Sequence, residues 1–125
     1  MNNLNQVALH GRLTRDSELK KTNSGFSILK FAIANNYSKK NGDKYEDEAN
    51  FFDCVLLGKR AEKLAQYLQK GKQVILGGEL RQERWSDADG TKRSKVVIIV
   101  NHIEMLGGNS EQSSNTGQFD EDIPF

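Results

Sequence analysis

The stretch FFDCVLLGKRAEKLAQYLQKGKQVILGGELRQERW (residues 51–85) changes its hydrophobic period twice, and this change decides the fold. Its first part is apolar on both faces, which is typical of a buried strand. In the second part apolar residues recur at i, i+3, i+4 and i+7, the stripe of an amphipathic helix: Ala61, Leu64, Ala65 and Leu68. Gly71 follows at the position of a helix C-terminal cap. The third part, from residue 73, is again a strand, in which Gly77-Gly78 predicts a bulge or a sharp bend.

Three further strands flank this block. QVALHGRLT (6–14) and FSILKFAIANNY (26–37) alternate apolar and polar residues, which is the period of half-buried strands. SKVVIIVNHIEML (94–106) carries a continuous apolar run, so we expect core on one face and another subunit on the other. Hairpin turns are predicted at Asn41-Gly42 and at Asp89-Gly90. Five strands with one helix between the third and the fourth is the order of an all-β OB-fold barrel, which we predict for residues 1–106.

Composition limits the class of protein. With 125 residues and no run of about 18 apolar residues, we expect one domain without a membrane span. The N-terminal residues show no basic region followed by an apolar run, so we expect no secretion signal and a cytoplasmic location. The single cysteine, Cys54, cannot form an internal disulfide, and its place in a strand favours a buried apolar side chain over a reactive thiol.

Charge is divided unevenly along the chain. Residues 1–106 hold all 18 basic and 13 of the 17 acidic residues, a surplus of +5, whereas the remainder carries four acidic charges. Residues 107–119 have no aliphatic side chain, which predicts a disordered linker. The following hexapeptide DEDIPF (120–125) combines acidic and apolar residues, and we predict that it is a partner-binding tip. Its acids would steer it towards cationic surfaces and its apolar residues would enter a pocket: Asp120, Glu121 and Asp122, then Ile123, Pro124 and Phe125.

No catalytic constellation can be assembled from the sequence. His10 and His102 fall in separate strands without the spacing of a zinc motif, and no second cysteine accompanies them. Gly58-Lys59 resembles the end of a phosphate-binding loop, but Asp53 stands where that motif requires glycine. We therefore predict a protein that is not an enzyme and that uses no metal or cofactor.

Aromatic residues and cations occur together near the predicted strand ends. Three groups show this pattern: Tyr37 with Lys39 and Lys40, Phe51 in the strand that leads to Lys59 and Arg60, and Trp85 with Arg81 and Arg84. Rings that stack on bases and cations that neutralise phosphates form a sequence-independent site for single-stranded nucleic acid, so we expect these six cations to contact phosphates. Trp85 stands between a charged stretch and a polar turn, which predicts that it is exposed.

The remaining aromatic residues have a structural interpretation. We assign Phe26, Phe31 and Tyr67 to the core, because aromatic residues in apolar patterns usually belong there. Phe51 and Phe52 are adjacent and must face opposite sides of their strand. One of the two is therefore expected in the core or in an interface.

The chain resembles the family of bacterial single-stranded DNA-binding proteins, the OB-fold proteins of replication and repair. The resemblance rests on four segments: NQVALHGRL (5–13), the block at 51–90, IEMLGG (103–108) and DIPF (122–125). It implies base stacking on Tyr37, Phe51 and Trp85. It also implies an apolar contact at Leu57, which replaces an aromatic residue of the family, and a subunit interface at Phe52.

The resemblance further implies a function and an assembly. A homotetramer would bind single-stranded DNA of any sequence and recruit replication, recombination and repair enzymes through the tip, in a bacterial, nucleoid-associated setting. The residues leave two alternatives open: an OB-fold protein that binds RNA, and a protein-interaction module whose barrel displays the tail.

Overall fold

The computed structural model describes residues 1–107; the predicted linker after Gly107 and the tip at 120–125 lie outside them. The described residues form strands β1 (Val7–Leu13), β2 (Glu18–Lys21), β3 (Ser27–Asn41), β4 (Lys44–Leu57), β5 (Gln73–Ser86) and β6 (Lys92–Leu106), with helix α1 (Lys59–Leu64) between β4 and β5.

Five of these strands form a closed barrel. Neighbouring strands follow the order β1-β5-β6-β4-β3, and β1 returns to β3 through the pairs Arg12–Ala34 and Leu13–Ile33. The predicted five-stranded barrel is thus confirmed. Strand β2 was not predicted; it pairs with the start of β3, and its four residues are all exposed. A strand that buries no side chain leaves no alternation in the sequence.

Alternate residues of the strands fill the barrel. Leu29, Phe31 and Ile33 of β3 are almost completely buried, as are Cys54 and Leu56 of β4, which lie opposite them. In β6, the adjacent Val97 and Ile98 are both buried, so this strand is covered on both faces at that point within one chain, whereas Val96 is exposed. The period-two pattern of the sequence therefore identifies the core of the barrel.

Two aromatic residues assigned to the core are on the surface instead. Phe26 and Tyr67 are 49% and 54% exposed, while Phe31 is buried as predicted. Phe26 precedes β3 and belongs to the turn that joins β2 to β3, where the backbone N–H of Phe26 donates to Thr22 Oγ1. Tyr67 follows α1, and its neighbour Leu68 enters the core in its place.

The helix is shorter than the sequence predicts. It ends at Leu64 with Ala65 as its C-cap, so Gly71 is not the cap. The next carbonyl groups turn to the loop before β2: the Ser17 hydroxyl donates to the Ala65 carbonyl, and the Ser17 N–H donates to the Leu68 carbonyl. Gly71 has a φ of 88° in the turn before β5, and its N–H donates to the Leu13 carbonyl. Helical hydrogen bonds continue as far as the Leu68 N–H, which donates to the Leu64 carbonyl, and tertiary hydrogen bonds then hold this segment against β1 and the loop before β2.

The glycine pair in β5 lies at a bulge, as predicted, but the extra residue belongs to β6. Gly77 pairs with His102 and Gly78 with Val100, so Asn101 has no register partner in β5. At Gly78 the two backbones approach so closely that a Cβ atom would lie 2.1 Å from the Ile99 carbonyl oxygen. Glycine is required here because the neighbouring strand occupies the space of a side chain.

Two long hairpins extend from one end of the barrel. Strands β4 and β6 run parallel and pair through Cys54–Ile98 and Val55–Ile99. The turns that precede them therefore lie at the same end. We call residues 35–50 the β3–β4 arm and residues 82–96 the β5–β6 arm. Pairing in the β3–β4 arm continues to Asn41–Lys44, so its loop is Gly42-Asp43, one residue later than predicted.

The β3–β4 arm corrects the predicted strand ends. Tyr37 and Phe51 lie inside β3 and β4, because both strands continue into a polar segment that the sequence assigned to a loop. Cross-strand hydrogen bonds between polar side chains hold this segment together, including Ser38 to Asp47 at 3.2 Å and Asn41 to Glu46 at 3.0 Å.

Candidate nucleic-acid interface

Side-chain alternation divides the sheet into a core face and an outer face. In β4, Cys54 and Leu56 belong to the core cluster, so Phe51, Asp53, Val55 and Leu57 project from the other side. In β6, Ile98 and Val100 belong to the core, which leaves Arg93 and Lys95 on the outer side. Trp85 lies opposite Arg93 and shares its side. This common side is the outer face.

The outer face carries three of the four sequence-predicted contact residues. Phe51 is 70% exposed, Trp85 44% and Leu57 40%. The prediction that Trp85 is exposed is confirmed. Phe52 points to the opposite side, where it is partly buried and packs against the core cluster. Phe51 and Phe52 thus face opposite sides as predicted, and the role of Phe52 in a subunit interface stays a prediction.

Tyr37 is separated from Phe51 by the thickness of the β3–β4 arm. The register places Tyr37 opposite Glu48 but Phe51 opposite Ala34, three positions apart, so the two rings project from opposite sides of the ribbon. The Tyr37 hydroxyl donates to Glu48 Oε1 at 3.0 Å. This hydrogen bond, together with the negative charge of Glu48, raises the pKa of Tyr37. The neutral form of the phenol is therefore favoured, and the hydrogen bond to Glu48 orients its hydroxyl group.

Lys39 and Lys40, the two predicted phosphate contacts in the β3–β4 arm, form no ion pair with an acidic residue in the described part of the chain. Acids of β4 accept hydrogen bonds from neutral donors of β3 instead: Glu48 from Tyr37, Asp47 from Ser38 and Glu46 from Asn41. No ion pair within residues 1–107 includes Lys39 or Lys40. Lys40 shares the side of Phe51 and Lys39 the side of Tyr37.

The other four predicted cations lie at three separate places. Arg81 is on the outer face, where it forms an ion pair with Glu79. Arg84 is on the opposite side of the β5–β6 arm and donates to Gln82 Oε1. Lys59 and Arg60 begin α1 at the far end of β4, and the Arg60 guanidinium donates to the Asn101 carbonyl at 2.9 Å. The structure therefore does not gather the six cations into one cluster.

Sequence reasoning missed several cations of the outer face. Lys30 and Lys95 line a cleft of about 220 Å³, together with Arg15 and Lys20 from the segment that includes β2. Val55 and Val97, both buried, also line it. Counting alternate positions from the core residues Phe31 and Ile98 would have placed Lys30 and Lys95 on this face. The sequence could not place Arg15 and Lys20 beside this cleft, because strand β2 leaves no pattern by which it can be predicted.

Trp85 borders a second depression. It has a volume of about 410 Å³, and its lining also includes Arg84, Lys92 and Arg93. The Arg93 side chain is held by Asp87 across the turn, with 2.5 Å between Nε and Oδ2. The exposed indole ring of Trp85 thus shares its side with Arg93, while Arg84 and Lys92 line the depression from the other side of the β5–β6 arm.

Other chemistry is limited in the described residues. No group of three or more His, Cys, Asp or Glu within residues 1–107 is placed to hold a metal ion. Cys54 is buried, as predicted, and this burial, with a smaller contribution from the charge of Asp53, raises the pKa of its thiol to about 12. None of the helices in this part of the chain is long and apolar enough to cross a membrane.

A closed five-stranded β-barrel with rings and cations exposed on its outer face places the chain in the OB-fold class. The model of the single-strand binding protein family matches residues 4–106, and the chain belongs to this family. Proteins of this family bind DNA and are not enzymes, which confirms both the resemblance and the prediction of a non-catalytic protein.

Individual relatives agree with this membership. A single-stranded DNA-binding protein from Borreliella burgdorferi is 50% identical over 111 residues, which cover 88% of this chain and 74% of that protein. A protein of the same name from Treponema pallidum is 50% identical over 107 residues, 86% of this chain and 60% of the relative.

Solved structures share the fold. The structure described as "Plasmodium falciparum SSB complex with ssDNA" matches with a TM-score of 0.77 at 22% identity, covering 86% of this chain and 98% of that one. A deletion mutant of the single-stranded DNA binding protein from Thermus aquaticus matches with a TM-score of 0.74 at 30% identity, covering 86% and 52% of the two chains.

Proposed function

We propose that the chain binds single-stranded DNA without preference for base sequence. The observation that carries this proposal is the outer face of the barrel, where the exposed rings of Phe51 and Trp85 lie on the same side as Lys30 and Lys95. Every base presents a π-face to a ring, and every nucleotide presents a phosphate to a cation. Family membership and the names of the relatives support the same function.

Each side chain has a distinct part in the proposed interface. Phe51 and Trp85 stack on bases, while Leu57 offers apolar contact area without a π-face. Tyr37 stacks on a nucleotide that passes round the edge of the β3–β4 arm. Phosphates are neutralised by the cations predicted from the sequence and by those of the outer-face cleft: Lys39, Lys40, Lys59, Arg60, Arg81 and Arg84, then Lys30 and Lys95.

Trp85 provides the test, because it is the only tryptophan of the chain and its fluorescence reports on one position. We expect poly(dT) to quench this fluorescence. Stacking contributes about 1–3 kcal/mol per base, so Trp85→Ala should weaken binding by roughly fivefold to 150-fold, measured by anisotropy of a labelled oligonucleotide. Tyr67→Ala, which removes an exposed ring outside the interface, is the matched control. Equal affinities for the two variants would contradict the stacking role of Trp85.

The same titration with an RNA of matched sequence tests the choice of nucleic acid. Recognition of RNA as RNA requires contacts to the 2′-hydroxyl group. We expect tighter binding of the DNA, and tighter binding of the RNA would favour the RNA-binding alternative.

We further propose that the tip at 120–125 recruits replication, recombination and repair enzymes, while the barrel holds the DNA. Its acidic and apolar composition supports this division of roles. Deletion of residues 107–125 should abolish capture of such enzymes and preserve DNA affinity at moderate salt. Loss of all activity on this deletion would instead favour a module whose barrel only displays the tail.

The proposed assembly is a homotetramer with Phe52 at a subunit interface, in the bacterial cytoplasm and associated with the nucleoid. Light scattering of the full chain measures the mass directly. A monomeric mass at the concentrations used for DNA binding would contradict the tetramer.

A further inference from the structure

Lys95 is flanked by acids on the outer face. Its ammonium nitrogen lies 3.5 Å from Asp53 Oδ2 of β4, and Glu83 of β5 is its direct cross-strand neighbour. The two side chains of the Lys95–Asp53 pair are 45% and 46% exposed. The pair crosses from β6 to β4 just before these strands form their first backbone pair, Cys54–Ile98.

Asp53 stands within the proposed path of the DNA. Phe51, Asp53, Val55 and Leu57 share the outer face, and Phe51 and Leu57 are about 20 Å apart along β4 at the usual rise per residue. A strand that contacts both Phe51 and Leu57 passes over the carboxylate of Asp53. A phosphate that reaches Lys95 must also displace this carboxylate.

We infer that Asp53 is a built-in competitor of phosphate: it holds Lys95 in the free protein, lowers the affinity for single-stranded DNA and weakens the dependence of binding on salt. This inference rests on the proposed function. The residue that would limit DNA binding is thus an acid, in a part of the chain (residues 1–106) where basic residues outnumber acidic ones.

The effect on salt dependence follows from the exchange of ions. A free lysine that contacts DNA displaces a condensed cation, and each such contact adds about 0.7 to the slope of log K against log salt for a single strand. When a phosphate takes Lys95 from Asp53, the carboxylate is left without a partner beside the bound strand, where it keeps in place a cation that would otherwise be released. The release is thereby cancelled, so this contact adds almost nothing to the slope.

Asp53→Asn separates this role from a structural one, since the substitution keeps the shape and removes the charge. We expect binding of labelled oligo(dT) at low salt to become roughly threefold to tenfold tighter, because removing one negative charge a few ångströms from a phosphate changes the affinity by about this factor. The slope of the salt plot should steepen by about 0.7. Exposed ion pairs contribute little to folding, so the melting temperature should barely change.

Glu104→Gln is the matched control for net charge. Glu104 is exposed and lies nine residues beyond Lys95 on β6, about 30 Å along the strand. Its substitution changes the net charge by the same amount but should leave the slope unchanged. In the double variant Asp53→Asn with Lys95→Gln, the steeper slope should disappear, because the gain requires a free Lys95.

A second comparison leaves Asp53 in place. Lys95→Gln alone should weaken binding with almost no change in slope, whereas Lys40→Gln, on the side of Phe51, opposite Tyr45 and in no ion pair within residues 1–107, should reduce the slope by about 0.7. An unchanged slope in Asp53→Asn, weaker binding by that variant, or equal slopes for the two lysine variants would overturn the inference. Failure of the unaltered protein to bind oligo(dT) would instead overturn the proposed function, and the inference with it.

Discussion

Replacing Gly78 with alanine tests how closely β5 and β6 approach at the bulge. The added Cβ would lie 2.1 Å from the Ile99 carbonyl oxygen and 3.1 Å from the Val100 Cα atom, both part of the backbone of β6. Since real Cβ contacts are essentially never closer than 3.0 Å, β5 and β6 must separate here by at least 0.9 Å, the difference between 3.0 and 2.1 Å. A backbone strand cannot make this movement by changing a rotamer.

The expected loss of stability follows from two effects. Overpacking of a well-packed site costs about 1–3 kcal/mol, and a disturbed ladder hydrogen bond adds about 1 kcal/mol, so we expect a loss of roughly 2–4 kcal/mol. For a domain of this size the melting temperature should fall by about 10–25 °C. Thermal unfolding followed by circular dichroism measures this change.

Gly77→Ala is the matched control, because a Cβ at this neighbouring position would meet its closest atom at 3.6 Å, an ordinary contact. Alanine also restricts the unfolded chain more than glycine, so this variant should melt within a few degrees of the unaltered protein or slightly above it. If the two variants melted at the same temperature, the argument from close backbone approach would be refuted.

Three further predictions concern single side chains. Phe51→Ala should weaken oligo(dT) binding by roughly fivefold to 150-fold, with Tyr67→Ala as a control ring outside the interface. Burial raises the pKa of the Cys54 thiol to about 12, so its contribution to stability should be complete below about pH 8.5, the pKa of an unfolded thiol, and be lost as pH rises towards 12. Urea unfolding across this range should show the decline, and Cys54→Ala should remove it. A hydrogen bond from Ser27 lowers the pKa of Glu62, so its stabilising contribution should be present above about pH 4.3 and disappear as pH falls through the lower folded value. Glu62→Gln should therefore flatten the acid side of the stability profile, and an unaltered profile would contradict this role.

The sequence predicts the barrel because burial leaves a period in it. Leu29, Phe31 and Ile33 alternate with residues outside the core cluster, and the Gly77-Gly78 pair marks the bulge. It fails where tertiary contacts decide the backbone. Ser17, nearly fifty residues earlier in the chain, donates hydrogen bonds to the carbonyl groups of Ala65 and Leu68 after α1. No local sequence pattern predicts these long-range hydrogen bonds.

The candidate interface is predictable in its residue types but less so in its geometry. Phe51 and Trp85 are exposed on one face as the pattern of rings and cations suggests. The continuous pairing of β3 with β4 places Tyr37 on the other side of the arm, although the sequence gives it the same kind of environment. Lys95 was missed although counting alternate positions from Ile98 places it on the outer face, whereas its ion pair with Asp53, a residue of a different strand, forms only in the folded barrel.

The parallel pairing of β4 with β6 is short, and we expect this shortness to make the width of the candidate interface adjustable. Within residues 1–107 the backbones of these strands share only the pairs Cys54–Ile98 and Val55–Ile99, with the Lys95–Asp53 ion pair just before them. Phe51 lies beside one arm and Trp85 on the other, so we expect the gap between their rings to change more easily than the position of either ring within its own hairpin. A bound strand that bridges the two rings would set this gap, and chains of different base size could be accommodated by a change in the angle between the arms without any rearrangement of the core.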